Sequence, residues 1–228
     1  MNVVRSLIYT LVFFIGSIPI VLGAVLFALI GPKAVLVMPR MWARYHYWCL
    51  RWILGTEVRV EGVLPQHGAI VALKHESFCE TYEVLRLFDA PAVVFKAELI
   101  RIPFWGRAAL AHGVIPVARE TGATALRRML KAAREAVAAG RPVIIFPEGT
   151  RIKHGERPSL RPGVAGLYKA LNLPIVPVAV DTGKLWAYKG FLKRPGIITF
   201  RVGETIPVGL PRDVVETRIH TAINALND

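Results

Sequence analysis

The segment Lys74–Glu80, KHESFCE, places a histidine five residues before a glutamate. An imidazole held by a carboxylate can act as a general base, because the carboxylate orients the ring and stabilises the imidazolium that forms. On one straight helix, five residues separate two side chains by roughly 140°, so His75 must lie in a loop and Glu80 in the first helical turn if they are to meet. Ser77 followed by Glu80 fits the capping box of such a helix start. The same pattern also permits a purely structural role, in which Ser77 and Glu80 only begin a helix.

A second segment that could do chemistry is Phe146–Arg151, FPEGTR. Gly149 lets the backbone approach a ligand, and Thr150 and Arg151 offer donors that suit phosphate oxygens. The alternative is a turn that ends a strand and leaves a solvated arginine.

Two further basic residues, Lys96 and Arg119, each follow a short apolar run. Both could point into the same groove as Arg151 and help to bind a phosphate. Each could equally belong to the scaffold.

The elements that must position these residues are short apolar runs separated by helical stretches. Near-continuous hydrophobicity predicts strands that are covered on both faces. The predicted strands are Ala69–Leu73, Ala92–Phe95, Val114–Val117, Val143–Phe146, Ile175–Val180 and Ile197–Val202. The clearest helix is Ala123–Ala139, which Gly140 ends as a C-terminal cap. This alternation predicts an α/β fold with a largely parallel mixed sheet flanked by helices, and both motifs directly follow strands, where open α/β sheets place their sites.

The composition of the 228 residues favours a membrane-associated protein. The chain is 54% hydrophobic, has a mean hydropathy of +0.43 and carries a formal net charge of +13. Strong basicity suits nucleic acid, anionic membrane surfaces or phosphorylated small molecules, and the apolar N-terminus favours the membrane. Two cysteines exclude both a disulfide framework and a zinc site built on paired cysteines.

The N-terminal segment predicts a hydrophobic helical membrane anchor. Leu7–Ile30 contains 24 residues without a charge, enough to cross a bilayer, but Pro19 also allows a re-entrant hairpin in one leaflet. The aromatic and basic segment Val35–Leu54 either lies among lipid headgroups or packs on the domain. Basic residues after the apolar run predict that the remainder faces the cytoplasm. We therefore divide the chain into an attachment region, 1–55, and a second domain, 56–228.

In combination, four blocks resemble those of the glycerolipid acyltransferase family that includes the 1-acyl-sn-glycerol-3-phosphate acyltransferases. The resemblance covers roughly Gly68 to Val180, and the N-terminal helices are similar to those of bacterial members. The matches are His75 and Ser77 in the first block, Gly113, Ile115, Val117 and Arg119 in the second, all of Phe146–Arg151 in the third, and Val176–Val178 in the fourth. Lys74 stands where the family usually has asparagine, and Glu80 where it has aspartate.

The resemblance implies direct acyl transfer without an acyl-enzyme. His75 removes the proton from the acceptor hydroxyl as that oxygen attacks a thioester carbonyl, and Glu80 supports the imidazolium. The implied substrate-binding residues are Lys96, Arg119, Glu148, Gly149, Thr150 and Arg151, with Lys74 and Ser77 in supporting roles. The family needs no metal and no cofactor beyond its co-substrate, acyl-CoA or acyl carrier protein.

The expected acceptor is lysophosphatidate, and the expected location is the cytoplasmic face of the bacterial inner membrane, in contact with membrane phospholipids. A lyso-ornithine lipid or glycerol 3-phosphate would use the same blocks. Cys79, four residues from His75, leaves a cysteine hydrolase conceivable. A basic membrane- or nucleic-acid-binding module without turnover is a further alternative, although we expect no nucleic-acid partner.

Overall fold

The structure, a computed structural model, describes residues 1–27, 32–103, 105–117, 123–186 and 188–227. Across these residues, seven strands form one mixed sheet with helices on both faces. The strands are β1 (Thr56–Glu61), β2 (Ile70–Leu73), β3 (Ala92–Lys96), β4 (Ile115–Val117), β5 (Val143–Ile145), β6 (Ile175–Val180) and β7 (Gly196–Val202). The helices are α1 (Asn2–Phe27), α2 (Pro32–Cys49), α3 (Cys79–Leu87), α4 (Trp105–His112), α5 (Ala123–Ala138), α6 (Gly163–Leu171), the single turn α7 (Thr182–Leu185) and α8 (Arg212–Ile223).

The strand order is β1-β7-β6-β2-β5-β3-β4. The five strands from β6 to β4 run parallel, whereas β7 is antiparallel to β6 and parallel to β1. The predicted α/β fold with a largely parallel sheet is therefore confirmed. All six predicted strands are present, with ends that agree to within one residue.

The central strand β2 explains why the strands read as continuous apolar runs. Its residues alternate between two buried clusters: Val71 and Leu73 pack with α1, α2 and α3, while Ile70 and Ala72 pack with α5, α6 and α8. Because both faces of the strand are covered, every position in it is apolar.

The sequence did not predict strand β1. Its sequence, TEVRVE, alternates charged and apolar residues and is only partly buried, as an edge strand with one solvated face requires. Strand β1 therefore lacks the continuous apolar run that marks the other six strands in the sequence. Helix α5 matches its prediction to within one residue, and Gly140 follows it with a left-handed φ of 73°.

Helices α1 and α2 form an antiparallel hairpin that packs on α3. Helix α1 continues through Pro19 and buries one face, which carries Ser6, Tyr9 and Phe13, in the cluster shared with β2. Its other face is apolar and exposed, and over Asn2–Ala24 the helix is long and apolar enough to cross a membrane. The boundary at residue 55 stays a prediction, since α1 and α2 share the core of the domain that follows.

The aromatic segment divides between the two expected roles. The Trp42 indole donates a hydrogen bond to Ser17 Oγ (2.8 Å), and the Tyr45 hydroxyl donates to the Val12 carbonyl. Trp48 and Trp52 instead expose 50% and 72% of their surface. The first two rings hold the hairpin together, and the last two remain available to lipid.

Candidate active site

Three loops that carry polar residues meet at one edge of the sheet. Strands β6, β2 and β5 are neighbours and run parallel, so their carboxyl ends lie side by side. His75 follows β2, Phe146 follows β5, and Thr182 follows β6. The backbone N–H of Ile152 donates to the His75 carbonyl (2.8 Å) and ties the first two loops together.

His75 and Glu80 are in contact. Nδ1 of His75 lies 2.9 Å from Oε1 of Glu80, and the imidazole stacks on the Phe146 ring with centroids 4.2 Å apart. The carboxylate is fully buried, whereas 16% of the His75 side chain is exposed. Because the ionised carboxylate accepts a hydrogen bond from Nδ1–H, the proton of the neutral ring stays on Nδ1, and Nε2 keeps the lone pair that a general base needs.

Glu80 also caps the start of helix α3. Its Oε1 accepts hydrogen bonds from the backbone N–H groups of Glu76 and Ser77 (both 2.6 Å). Its Oε2 accepts hydrogen bonds from the hydroxyls of Ser77 (2.7 Å) and Thr182 (2.8 Å). Burial acts to raise the pKa of Glu80, but the bond and charge of His75 and the Ser77 donors lower it below its usual value. The capping role and the contact with His75 therefore coexist in one carboxylate.

The helix itself begins slightly later than the capping box predicted. Helix α3 starts at Cys79, with Phe78 as its N-cap. The Ser77 hydroxyl accepts the N–H of Cys79 (3.0 Å), and Glu80 accepts the N–H of Ser77. The return bond from Glu80 is that of a capping box, whereas the Ser77 hydroxyl caps the N–H two residues on rather than three.

Lys74 and Glu148 form a buried ion pair behind the dyad. Lys74 Nζ donates to Glu148 Oε1 (2.6 Å), to the Glu156 carbonyl (2.9 Å) and to Asn224 Oδ1 (2.8 Å). Glu148 Oε2 accepts the backbone N–H of His75 (2.9 Å). Burial raises the pKa of Glu148, and the Lys74 ammonium opposes that rise. These two residues hold the His75 loop rather than line a ligand site.

A groove of about 280 Å³ opens beside the dyad. Among the described residues, it is lined by Glu76, Ser77, Phe78, Arg151, Trp186, Lys189, Gly190 and Lys193. The Arg151 guanidinium carbon lies 3.9 Å from the Phe78 ring centroid, and Lys193 Nζ lies 5.0 Å from the Trp186 ring. Three cations against one carboxyl group suit a phosphate, and the ring contacts hold two of those cations in place.

The remaining predicted residues lie in different surroundings. Gly149 has a left-handed φ of 68° in the turn after β5, and Thr150 beside it is exposed. Lys96 ends β3, the neighbour of β5, and it is not among the described residues that line the groove. Arg119 lies outside the described residues. The structure therefore brings Arg151 together with Lys189 and Lys193 of a later loop.

Glu76 is a site residue that the sequence reasoning missed. Its Oε1 lies 2.8 Å from Nδ1 of His154, and its Oε2 accepts the N–H of Gly183 (2.7 Å). Burial raises the pKa of Glu76 to about 8, and the Gly183 N–H opposes that rise. The sequence feature that could have identified Glu76 is its position next to His75. For Thr182 and Gly183, that feature is their position directly after a predicted strand.

Cys79 does not suit the role of a nucleophile. Its side chain is fully buried in the core, and burial raises the pKa of its thiol well above the usual value. A thiol in this state is not a reactive thiolate. Within the described ranges, no group of three His, Cys, Asp or Glu side chains could hold a metal ion.

Comparison with known proteins identifies the family of the chain. The sequence model described as Acyltransferase matches residues 56–181. The crystal structure of the 1-acyl-sn-glycerophosphate (LPA) acyltransferase PlsC from Thermotoga maritima superimposes with a TM-score of 0.76 and 24% identity, over 99% of this chain and 98% of that one. That similarity shows the same fold, including the two N-terminal helices.

Two curated relatives have the same name, which describes an acyltransferase. The 1-acyl-sn-glycerol-3-phosphate acyltransferase of Pseudomonas aeruginosa is 32% identical over 164 residues, which cover 71% of this chain and 64% of that protein. The protein of the same name from Cocos nucifera is 30% identical over 155 residues, 67% of this chain and 50% of that protein. The match thus spans between half and two thirds of the length of these relatives.

Proposed function

The chain belongs to the acyltransferase family, and we propose that it transfers a fatty-acyl group from a thioester to the free hydroxyl of 1-acyl-sn-glycerol 3-phosphate. The product is phosphatidic acid, an intermediate of phospholipid biosynthesis. The observation that carries the proposal is the position of the His75–Glu80 pair beside a groove lined by Arg151, Lys189 and Lys193. The names of the curated relatives support the same acceptor.

The dyad supplies the proton transfers of the reaction. Nε2 of His75 accepts the proton of the acceptor hydroxyl while that oxygen bonds to the thioester carbonyl carbon. The tetrahedral intermediate then collapses, the carbon–sulfur bond breaks, and the imidazolium returns its proton to the thiolate. Glu80 stays ionised throughout and stabilises the imidazolium. The products are an ester and a free thiol, and no covalent enzyme intermediate is formed.

The groove favours an acceptor that carries a phosphate. A phosphomonoester with nearly two negative charges can engage several cations at once, and Arg151 can bind two of its oxygens. Glycerol 3-phosphate also carries this group, whereas a lyso-ornithine lipid does not. Coenzyme A and acyl carrier protein both present the acyl group as a thioester, so the chemistry of the dyad does not select between these two donors.

The exposed apolar face of α1 supports attachment to a membrane, which we propose to be the cytoplasmic membrane of a bacterium. This face is continuous along the helix and lies opposite the face packed on the domain. Because one side of α1 is buried in protein, lipid can surround only the other side. The acceptor, a single-chain lipid, is then held in the same membrane that holds the enzyme.

The experiment is an acyl-transfer assay on the full chain in phospholipid vesicles. Radiolabelled acyl-CoA and acyl-(acyl carrier protein) are each offered with lysophosphatidate, glycerol 3-phosphate or a lyso-ornithine lipid. We expect label in phosphatidic acid, and none with the His75→Ala protein. Turnover of the lyso-ornithine lipid alone would contradict the proposed acceptor, and vesicle binding without any turnover would contradict the enzyme.

A further inference from the structure

The chain that follows β6 forms one wall of the groove. After Asp181 it makes the turn α7 and returns as a hairpin, closed by a bridge between Trp186 and Lys193. We call residues 181–186 and 188–194 the groove hairpin. It contributes Trp186, Lys189, Gly190 and Lys193 to the groove lining. The hairpin therefore carries two of the three cations assigned to the acceptor phosphate.

The first residues of the groove hairpin bond to carboxyl groups of the His75 loop. The hydroxyl of Thr182, whose side chain is fully buried, donates to Glu80 Oε2 (2.8 Å). The N–H of the next residue, Gly183, donates to Glu76 Oε2 (2.7 Å). The hairpin that binds the acceptor is thus joined directly to the carboxylate that orients His75.

We propose that Thr182 is a positioning residue for acyl transfer, whose hydroxyl holds the Glu80 carboxylate against His75 and fixes the start of the groove hairpin. The inference rests on the proposed function and extends it to a residue of a different loop. Thr182 touches no reacting atom, so its effect reaches the substrate through Glu80.

The distribution of donors on Glu80 explains why this hydroxyl matters. Within the described residues, Oε1 has three partners (His75 Nδ1 and two backbone N–H groups), whereas Oε2 has only the hydroxyls of Ser77 and Thr182. Without Thr182, a buried, charged oxygen keeps a single donor, which is unfavourable at low dielectric. The carboxylate then turns to find other donors, and the bond from Oε1 to His75 loses its geometry.

Three substitutions at one position separate the hydroxyl from the packing of Thr182. Thr182→Val keeps the shape and removes the hydroxyl, Thr182→Ser keeps the hydroxyl, and Thr182→Ala removes it in a smaller side chain. The matched control is Thr56→Val, because Thr56 is equally buried and its hydroxyl donates to the Arg194 carbonyl at the base of the hairpin, away from Glu80.

We expect Thr182→Val and Thr182→Ala to lower kcat about tenfold to a hundredfold, the effect of one hydrogen bond to a charged group. Thr182→Ser and Thr56→Val should stay within about threefold of the unchanged protein, an interval below the effect of one such bond.

A spectroscopic measurement tests the same inference without turnover. In protein labelled with ¹⁵N-histidine, the downfield Nδ1–H proton signal of His75, assigned by its loss in His75→Ala, reports the bond to Glu80. It should shift or broaden in Thr182→Val and Thr182→Ala and persist in Thr182→Ser and Thr56→Val. An unchanged signal in the folded Ala protein overturns the inference even if no acyl acceptor is found. A changed signal without any acyl transfer would instead contradict the proposed function alone.

Discussion

Nζ of Lys74 lies 2.6 Å from Oε1 of Glu148, and neither side chain is accessible to solvent. Through this pair the loop after β2 is joined to the loop after β5, and Asn224 adds the end of helix α8. Breaking a buried pair by removing one partner leaves an uncompensated charge. The Lys74→Met protein should therefore lose about 3–5 kcal/mol of free energy of unfolding, measured by chemical denaturation.

The double variant Lys74→Met, Glu148→Gln provides the control for this effect. Neither charge remains, so its loss should be smaller than the sum of the two single losses. Strict additivity would show that the two side chains do not interact in solution.

Glu80→Gln should leave the fold nearly unchanged and slow turnover by about 10⁴-fold, by analogy with the conversion of a triad carboxylate to an amide. The amide oxygen can keep the backbone bonds at the helix start, and the two hydroxyls can rotate to accept from its NH₂ group. Only the charge that supports the imidazolium is lost. Glu80→Asp should retain substantial activity. Turnover by Glu80→Gln within about threefold of the unchanged protein, at matched melting temperature, would reduce Glu80 to a helix cap.

Arg151→Ala should raise the KM for the acceptor about tenfold to a hundredfold and change the KM for the donor little. The expected loss is that of one charge-assisted contact to phosphate, about 1.5–3 kcal/mol. Lys153→Ala is the matched control, because Lys153 is an exposed cation of the same loop that does not line the groove. Equal losses for acceptor and donor would instead make Arg151 a structural residue, held by its contact with Phe78.

The stability of the protein should fall as the pH rises from about 6.5 to 8. Burial raises the pKa of Glu76 to about 8, whereas the pKa of a glutamate in the unfolded chain is about 4.3. The folded state therefore binds the extra proton across this window, and its contribution is lost as the pH rises through 8. The lowered pKa of His154 acts in the opposite sense, but only below its unfolded value of about 6.5.

Melting temperatures across this pH range check the assignment to Glu76. Glu76→Gln, which imitates the protonated form, should flatten the decline, and Glu135→Gln, a change at an exposed carboxylate of α5, should not. A decline that persists unchanged in Glu76→Gln would assign it to another group.

Replacing Leu7, Leu11, Phe14 and Ile18 by serine should release most of the protein from sedimented membranes. These four residues lie on the exposed face of α1, whereas Tyr9 and Phe13 on its other face remain to pack the core. Each buried aliphatic side chain contributes roughly 1.5–3 kcal/mol to transfer out of water. Retention of the quadruple variant on membranes in high salt would show that α1 is not the main anchor.

Two parts of the site could be predicted: the His75–Glu80 contact, which lies within one short segment, and the edge of the sheet that the two motif loops share. The contact of His75 with Glu80 follows from a helix start between them, and the proximity of the FPEGTR loop follows from parallel strands that end at one edge. The role of Thr182 depends on β6 being the neighbour of β2, and strand order cannot be read from apolar runs. Apolar runs likewise left open whether Lys96 points into the groove of Arg151 or belongs to the scaffold. Its strand β3 is the neighbour of β5, but Lys96 is not among the described residues that line the groove.

The buried ion pair was also beyond the sequence. Lys74 and Glu148 are 74 residues apart, and Lys74 and Asn224 are 150 apart. The family resemblance implies only a supporting role for Lys74, and its burial was not expected, because ammonium groups are rarely buried. Only the three-dimensional arrangement shows that three acceptors enclose it.

During synthesis of the chain, strand β1 emerges long before the strand with which it pairs. Its partner is β7, and the bridging side chains Glu61 and Arg201 are 140 residues apart. At the usual pace of translation, β1 waits on the order of ten seconds or more for that partner. Throughout this interval it presents unpaired backbone groups, a template for association with other nascent chains. The charged residues that alternate along TEVRVE interrupt its apolar pattern. Charged side chains of this kind also protect an unpaired edge strand from association.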